Sequence, residues 1–116
     1  MDRITLYSQK IQNVLAEYIR QYKPVAPKSG DEVEYQLILD SERHHYQVVF
    51  VGWEDMHRVY YPLFHLDIKN GKVWVQEAAS EFDIVGELEQ KGIPKSDIVL
   101  AFHAPYKRPF TEYAVA

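Results

Sequence analysis

The chain contains no cysteine, which excludes disulfides, thiolate nucleophiles and every cysteine-ligated zinc site. It has no run of about eighteen apolar residues, so no helix of membrane-spanning character is expected. The opening MDRITLYSQK lacks the hydrophobic segment of a signal peptide, and the expected location is the cytoplasm, away from membranes. Positive charge is also short. Thirteen Lys and Arg against seventeen Asp and Glu leave a net charge of −4, whereas a broad nucleic-acid surface needs clustered cations to neutralise phosphate. There is no nucleophile elbow, no phosphate-binding glycine loop, no HExxH or H-x-H pattern and no evident Ser-His-Asp arrangement. Internal repeats and low-complexity segments are absent as well.

What remains is the composition of one globular domain covering 1–116, with 47% hydrophobic and 26% charged residues. A chain of this length buries roughly two-thirds of its unfolded surface, enough for a core without staples. Nine tyrosines lift the aromatic share to 14%, a composition suited to strands and to interfaces.

Over residues 3–22, apolar side chains at Ile4, Tyr7, Ile11, Val14, Leu15, Tyr18, Ile19 and Tyr22 recur every three or four positions. That spacing makes one stripe on a long helix, with Asp2 as its N-cap, and the stripe is read as core packing. Pro24, Pro27 and Lys28-Ser29-Gly30 then end the helix in a loop. Glu32 to Asp40 alternates as a strand with Val33, Tyr35, Leu37 and Leu39 on one face. A turn centred on Glu42-Arg43 leads into a second strand, His44 to Trp53, and sets Leu39 against Tyr46, Leu37 against Val48 and Tyr35 against Phe50. Gly52 is a candidate bulge, and Glu54 to His57 turns the chain into the third strand. Pro62 cannot donate to a ladder, so a bulge or an unpaired stretch is expected there.

Asn70-Gly71, between two apolar runs, is the strongest hairpin signal in the chain. It implies the pairs Ile68–Val73, Asp67–Trp74, Leu66–Val75 and His65–Gln76. One face of this hairpin is wholly apolar, and the other carries His65, Asp67, Trp74 and Gln76. Continued across the sheet, these registers put the apolar residues of strands one and two on one face and those of strands three and four on the other. Val49 and Val51 then join Phe64, Leu66 and Ile68. A sheet with apolar residues on both sides calls for an oligomer or a partner.

Ser80 and Asp83 are placed as the capping residues of a second helix with Phe82, Val85 and Leu88 as its stripe, stopped near Lys91 by Gly92 and Pro94. Ile98 to Phe102 is expected to be extended, and the apolar end of the tail to dock on the body or on a neighbour. The fold expected is α+β: a long N-terminal helix, a four-stranded antiparallel meander, a second helix and a C-terminal extended segment.

No residue is assigned a catalytic, cofactor-binding or metal-binding role. His65 and Asp67 share a strand face and either could ligate, but two ligands do not make a site, and a third would have to be brought by the fold. His44 and His45 are expected on opposite faces of their strand. Asp40, Glu42 and Arg43 are read as a solvated turn with a local ion pair. The tail holds a basic, aromatic knuckle of Tyr106, Lys107 and Arg108 between prolines, with His103 upstream. It could meet a phosphate or an acidic partner, or pair with the chain's own acids. The candidate contact surface is therefore Tyr106, Lys107 and Arg108, followed by His65, Asp67, Trp74 and His103.

Three stretches, YQLILDSERHHYQVVFVGW, RVYYPLFHLDIKNGKVWVQ and GIPKSDIVLAFHAPYKRPFTEYAVA, resemble the signature blocks of the XisI family, the fdxN-element excision controlling factors. The resemblance spans essentially the whole chain. It implies a small cytoplasmic accessory factor in site-specific excision of a DNA element, acting beside a large recombinase and a companion called XisH. It carries over no catalytic or cofactor residue. The leading expectation is a non-enzymatic factor that binds the XisH-type companion and itself. One rival is a factor contacting DNA directly through Lys95, Lys107 and Arg108; another is a small hydrolase or metal-dependent enzyme using His65, Asp67 and His103.

Overall fold

The structure, a computed structural model, describes residues 2–22 and 31–116. The loop expected at Pro24 to Gly30 lies outside the described residues. Helix α1 spans Arg3–Gln21, and the Asp2 carboxylate caps it by accepting from the Thr5 amide at 2.8 Å. Its stripe of Tyr7, Ile11, Val14, Leu15 and Tyr18 is buried, as the spacing requires. Among the described residues no helix is long and apolar enough to cross a membrane.

The helix lies against a five-stranded sheet in the order β1 (Glu32–Asp40), β2 (His45–Glu54), β3 (His57–Lys69), β4 (Lys72–Ala78) and β5 (Ile98–Leu100). The first four strands form the expected antiparallel meander, and β5 adds itself parallel to β4. A parallel neighbour needs a crossover, and helix α2 (Ile84–Gln90) supplies it. Asp83, not Ser80, is the N-cap of α2, accepting from the Gly86 amide at 3.0 Å. The Ser80 hydroxyl instead accepts from the Phe82 amide just before the helix.

Asn70 and Gly71 take φ of 55° and 75°, the left-handed pair of a type I′ turn. Ile68–Val73, Asp67–Trp74 and Leu66–Val75 pair as expected, but His65 lies opposite Glu77 instead of Gln76, because the ladder shifts between His65 and Leu66. Pairing runs unbroken through Gly52, so it is not the bulge; a Cβ there would stand 1.9 Å from the Glu32 carbonyl oxygen, which only glycine avoids.

The distribution of apolar residues between the faces differs from the expectation. Tyr46 pairs with Leu66 and Val48 with Phe64, so β2 shares its apolar face with β3 and β4 instead of opposing it. The cause is one inserted residue. Val48 faces Phe64 while Val49 faces Pro62, which leaves Leu63 as a bulge beside the proline. A single extra residue exchanges the two faces of everything beyond it, and a register carried straight through from the Glu54–His57 turn is therefore wrong by one. One face, under both helices, holds Tyr46, Val48, Leu63, Phe64, Leu66, Ile68, Val73, Val75, Ile98 and Leu100 against α1, Ile84, Leu88 and Ile93. Each such aliphatic or aromatic side chain contributes about 1.5–3 kcal/mol by leaving water.

The C-terminal segment docks on the chain's own body. Ala114 bridges to Val99, its amide donating to the Ile98 carbonyl at 2.8 Å, so the β5 edge is covered. At the other side of the sheet β1 has no neighbour among the described residues. The radius of gyration, 15.2 Å, exceeds the roughly 13 Å of a compact chain of this length, because β2 and β3 run past the helices as a projecting arm.

Candidate functional site

The sheet face turned away from the helices brings the candidate residues together. Asp67 sits opposite His45 on β2 and opposite Trp74 on β4, and His65 is two residues along the same strand. The Asp67 Oδ1 lies 2.7 Å from His45 Nδ1 and 2.9 Å from His65 Nε2. Its Oδ2 accepts from the Gln76 side-chain amide at 3.2 Å. Burial works to raise the Asp67 carboxyl, and the hydrogen bonds and charges of the two histidines outweigh it, holding the group below its ordinary range. His45 is the member that sequence reasoning missed. Its partner across β2 and β3 follows only once the Leu63 bulge is counted. His44 stands apart, at φ 62°, with Nδ1 2.9 Å from the Tyr46 hydroxyl.

Trp74 links this cluster to the tail. It is nearly buried, and its indole N–H donates to the Lys69 carbonyl at 3.0 Å. The Lys69 ammonium lies 4.3 Å and the Arg108 guanidinium carbon 5.5 Å from its ring. Tyr106, Lys107 and Arg108 lie on the short 3₁₀ helix Pro105–Phe110, and they divide in character. Arg108 is turned inward, donating to the carbonyls of His103 at 3.0 Å, Ala101 at 3.3 Å and Val115 at 3.4 Å. Tyr106 and Lys107 are exposed. His103 is half-buried and its ring lies 4.7 Å from that of Phe102. Lys95 is held by Glu112 at 2.6 Å, with Glu89 at 3.8 Å. Asp40 accepts from the amides of Glu42 and Arg43 and pairs with the Arg43 guanidinium at 3.5 Å, a solvated turn.

A second group of exposed side chains went unremarked in the sequence. Trp53, Met56 and Tyr60 are exposed toward the end of the β2–β3 arm, with Tyr61 on its other face against Phe50, while Leu37, Ile38 and Leu39 stand half-exposed on β1. Arg58 lies 5.6 Å from the Trp53 ring and, with Glu32, Glu34, Val51 and Gly52, frames an open depression of about 410 Å³. The signal available was the aromatic density of the arm sequence. Its exposure depends on where α1 stops covering the sheet, which periodicity does not reveal.

The comparisons with known proteins agree with one another. The family model described as XisI protein matches residues 1–115. A crystal structure of a XisI-like protein from Anabaena variabilis ATCC 29413 is 41% identical, with a TM-score of 0.86, covering 97% of this chain and 99% of that one. The fdxN element excision controlling factor XisI from the same organism is 36% identical, with a TM-score of 0.84, covering 99% of this chain and all of that one. Among curated proteins none matches. With the same fold, matched over nearly its whole length by both family and structures, this chain belongs to the XisI family.

Proposed function

We propose that this protein is a non-enzymatic controlling factor that works by binding a companion protein of the XisH type, with self-association through the same surface as a second mode. The observation that carries this reading is the β1 edge and the arm beside it. Nine residues of strand stand at the rim of the sheet with Leu37, Ile38 and Leu39 half-exposed, and the arm adds Tyr60 at 70% and Met56 at 85% exposure. A long edge free of proline and lysine offers main-chain hydrogen bonds, and exposed apolar side chains along it offer burial; together they suit strand addition by a partner. The name of the similar Anabaena protein, an excision controlling factor, supports a regulatory role for this chain. The test is co-expression with the companion, followed by size-exclusion chromatography with light scattering. A stable hetero-complex is expected; a chain that elutes alone as a monomer overturns the reading.

Direct DNA binding has less support. Of its three cations, Arg108 is committed to carbonyls and Lys95 to carboxylates, leaving Lys107 beside Tyr106. Neutralising so few phosphates supports neither useful affinity nor a steep salt dependence.

A further inference from the structure

His45, His65 and Asp67 present one ligand atom each, all lying within 4.8 Å of one another. We propose that they form a binding site for a divalent transition-metal ion of the zinc class, with its remaining coordination position turned to solvent. The proposal is independent of the companion-binding reading.

Neutral imidazole paired with carboxylate is a donor set that such ions accept readily. The scaffold is rigid: two ligands lie two apart on β3, and the third is their cross-strand neighbour on β2. The separations suit an ion. Bonds of about 2.0–2.1 Å in tetrahedral geometry place donors about 3.3 Å apart. The His–Asp distances of 2.7 and 2.9 Å need to widen by about half an ångström, and the two ring nitrogens, within 4.8 Å of each other, need to close on the same spacing. Both ring nitrogens converge on the same carboxylate oxygen, and an ion between the three would take lone pairs from both rings. Gln76 holds the second carboxylate oxygen, the outer-shell contact that fixes a ligating carboxylate in place. Access is open. The His45 side chain is 53% and His65 30% exposed, while Asp67, at 14%, forms the floor.

The alternative is a hydrogen-bonded cluster in which both imidazoles donate to Asp67 and no ion binds. The experiment separating the two uses the full-length chain without a histidine tag, stripped with chelator and titrated with Co²⁺. Visible absorption reports the ligand field, and Zn²⁺ is then added as competitor. The expected result is saturable one-to-one binding with ligand-field bands that zinc abolishes. His45→Ala, at an exposed position, and the near-isosteric Asp67→Asn should each weaken affinity by about tenfold or more. His57→Ala and His103→Ala should leave it unchanged. Absence of saturable binding by the native chain would overturn the proposal, and so would binding that His45→Ala and Asp67→Asn do not alter while circular dichroism shows both folded.

Discussion

Tyr46 places a phenol in the middle of an apolar core, and its hydroxyl is spoken for twice. The Ser8 hydroxyl lies 2.5 Å away and His44 Nδ1 2.9 Å away, with the Gln12 side chain donating to Ser8 at 3.0 Å. Ser8 and Tyr46 are both buried, so removing the hydroxyl costs Ser8 one of its two side-chain partners in a place water does not reach. Tyr46→Phe is expected to cost about 1–2 kcal/mol, read as a lower urea midpoint at unchanged slope. Two further tyrosines contribute to the pH dependence of the fold at its alkaline end. Burial, and then the Asp97 carboxylate 2.5 Å away, push Tyr7 up to about 12. Burial, with Tyr18 adding to it, does the same to Tyr35. An unfolded tyrosine titrates near 10, so the stabilisation from both is complete below about pH 10 and is lost as pH rises toward 12. Thermal midpoints should therefore fall across that window, and Tyr7→Phe should make the fall shallower; an equally steep decline in that variant would assign it elsewhere.

At the scale of elements, two features decide the sheet. Gly52, at φ 149°, lets β1 and β2 approach, and a methyl group would meet the Glu32 carbonyl. Gly52→Ala is expected to cost about 2 kcal/mol or more and to fray the arm, seen as faster amide exchange in β1. Arg108 braces the tail through three of the segment's own carbonyls and rests on the Trp74 ring of β4. Arg108→Ala should destabilise by about 1–2 kcal/mol and expose the segment after Ala101 to proteolysis. The individual elements were legible in the sequence because each rests on local chemistry: the α1 stripe, the Asn70-Gly71 turn and the Gly92 stop all stand where their residues require. The faces were not. Pro62 forecast an irregularity, but a forecast bulge must be carried through the register, and omitting the Leu63 insertion inverted β2 relative to β3. The same omission hid His45 from the Asp67 cluster. Short parallel strands such as β5 carry no periodic mark, since all three residues are buried.

Taken whole, the molecule is asymmetric in what it covers. The β5 edge is closed by the chain's own C-terminal segment, and the helices cover one face of the sheet, α1 reaching Tyr35 of β1 through Tyr18. Among the described residues nothing pairs with the β1 rim, and the arm tip exposes Trp53, Met56, Tyr60 and Tyr61. The two-sided apolar sheet that the sequence suggested does not form; the exposed apolar side chains lie at an edge and a tip instead. That position suits addition of a strand from another chain more than a second sheet stacked on the first. The most direct test compares the native chain with a Trp53→Ser, Tyr60→Ser double variant, each co-expressed with the companion, measuring the mass of the eluted species by light scattering. A hetero-complex with the native chain, and a folded but solitary variant, is the predicted result. A variant that still binds its companion as the native chain does would contradict the account.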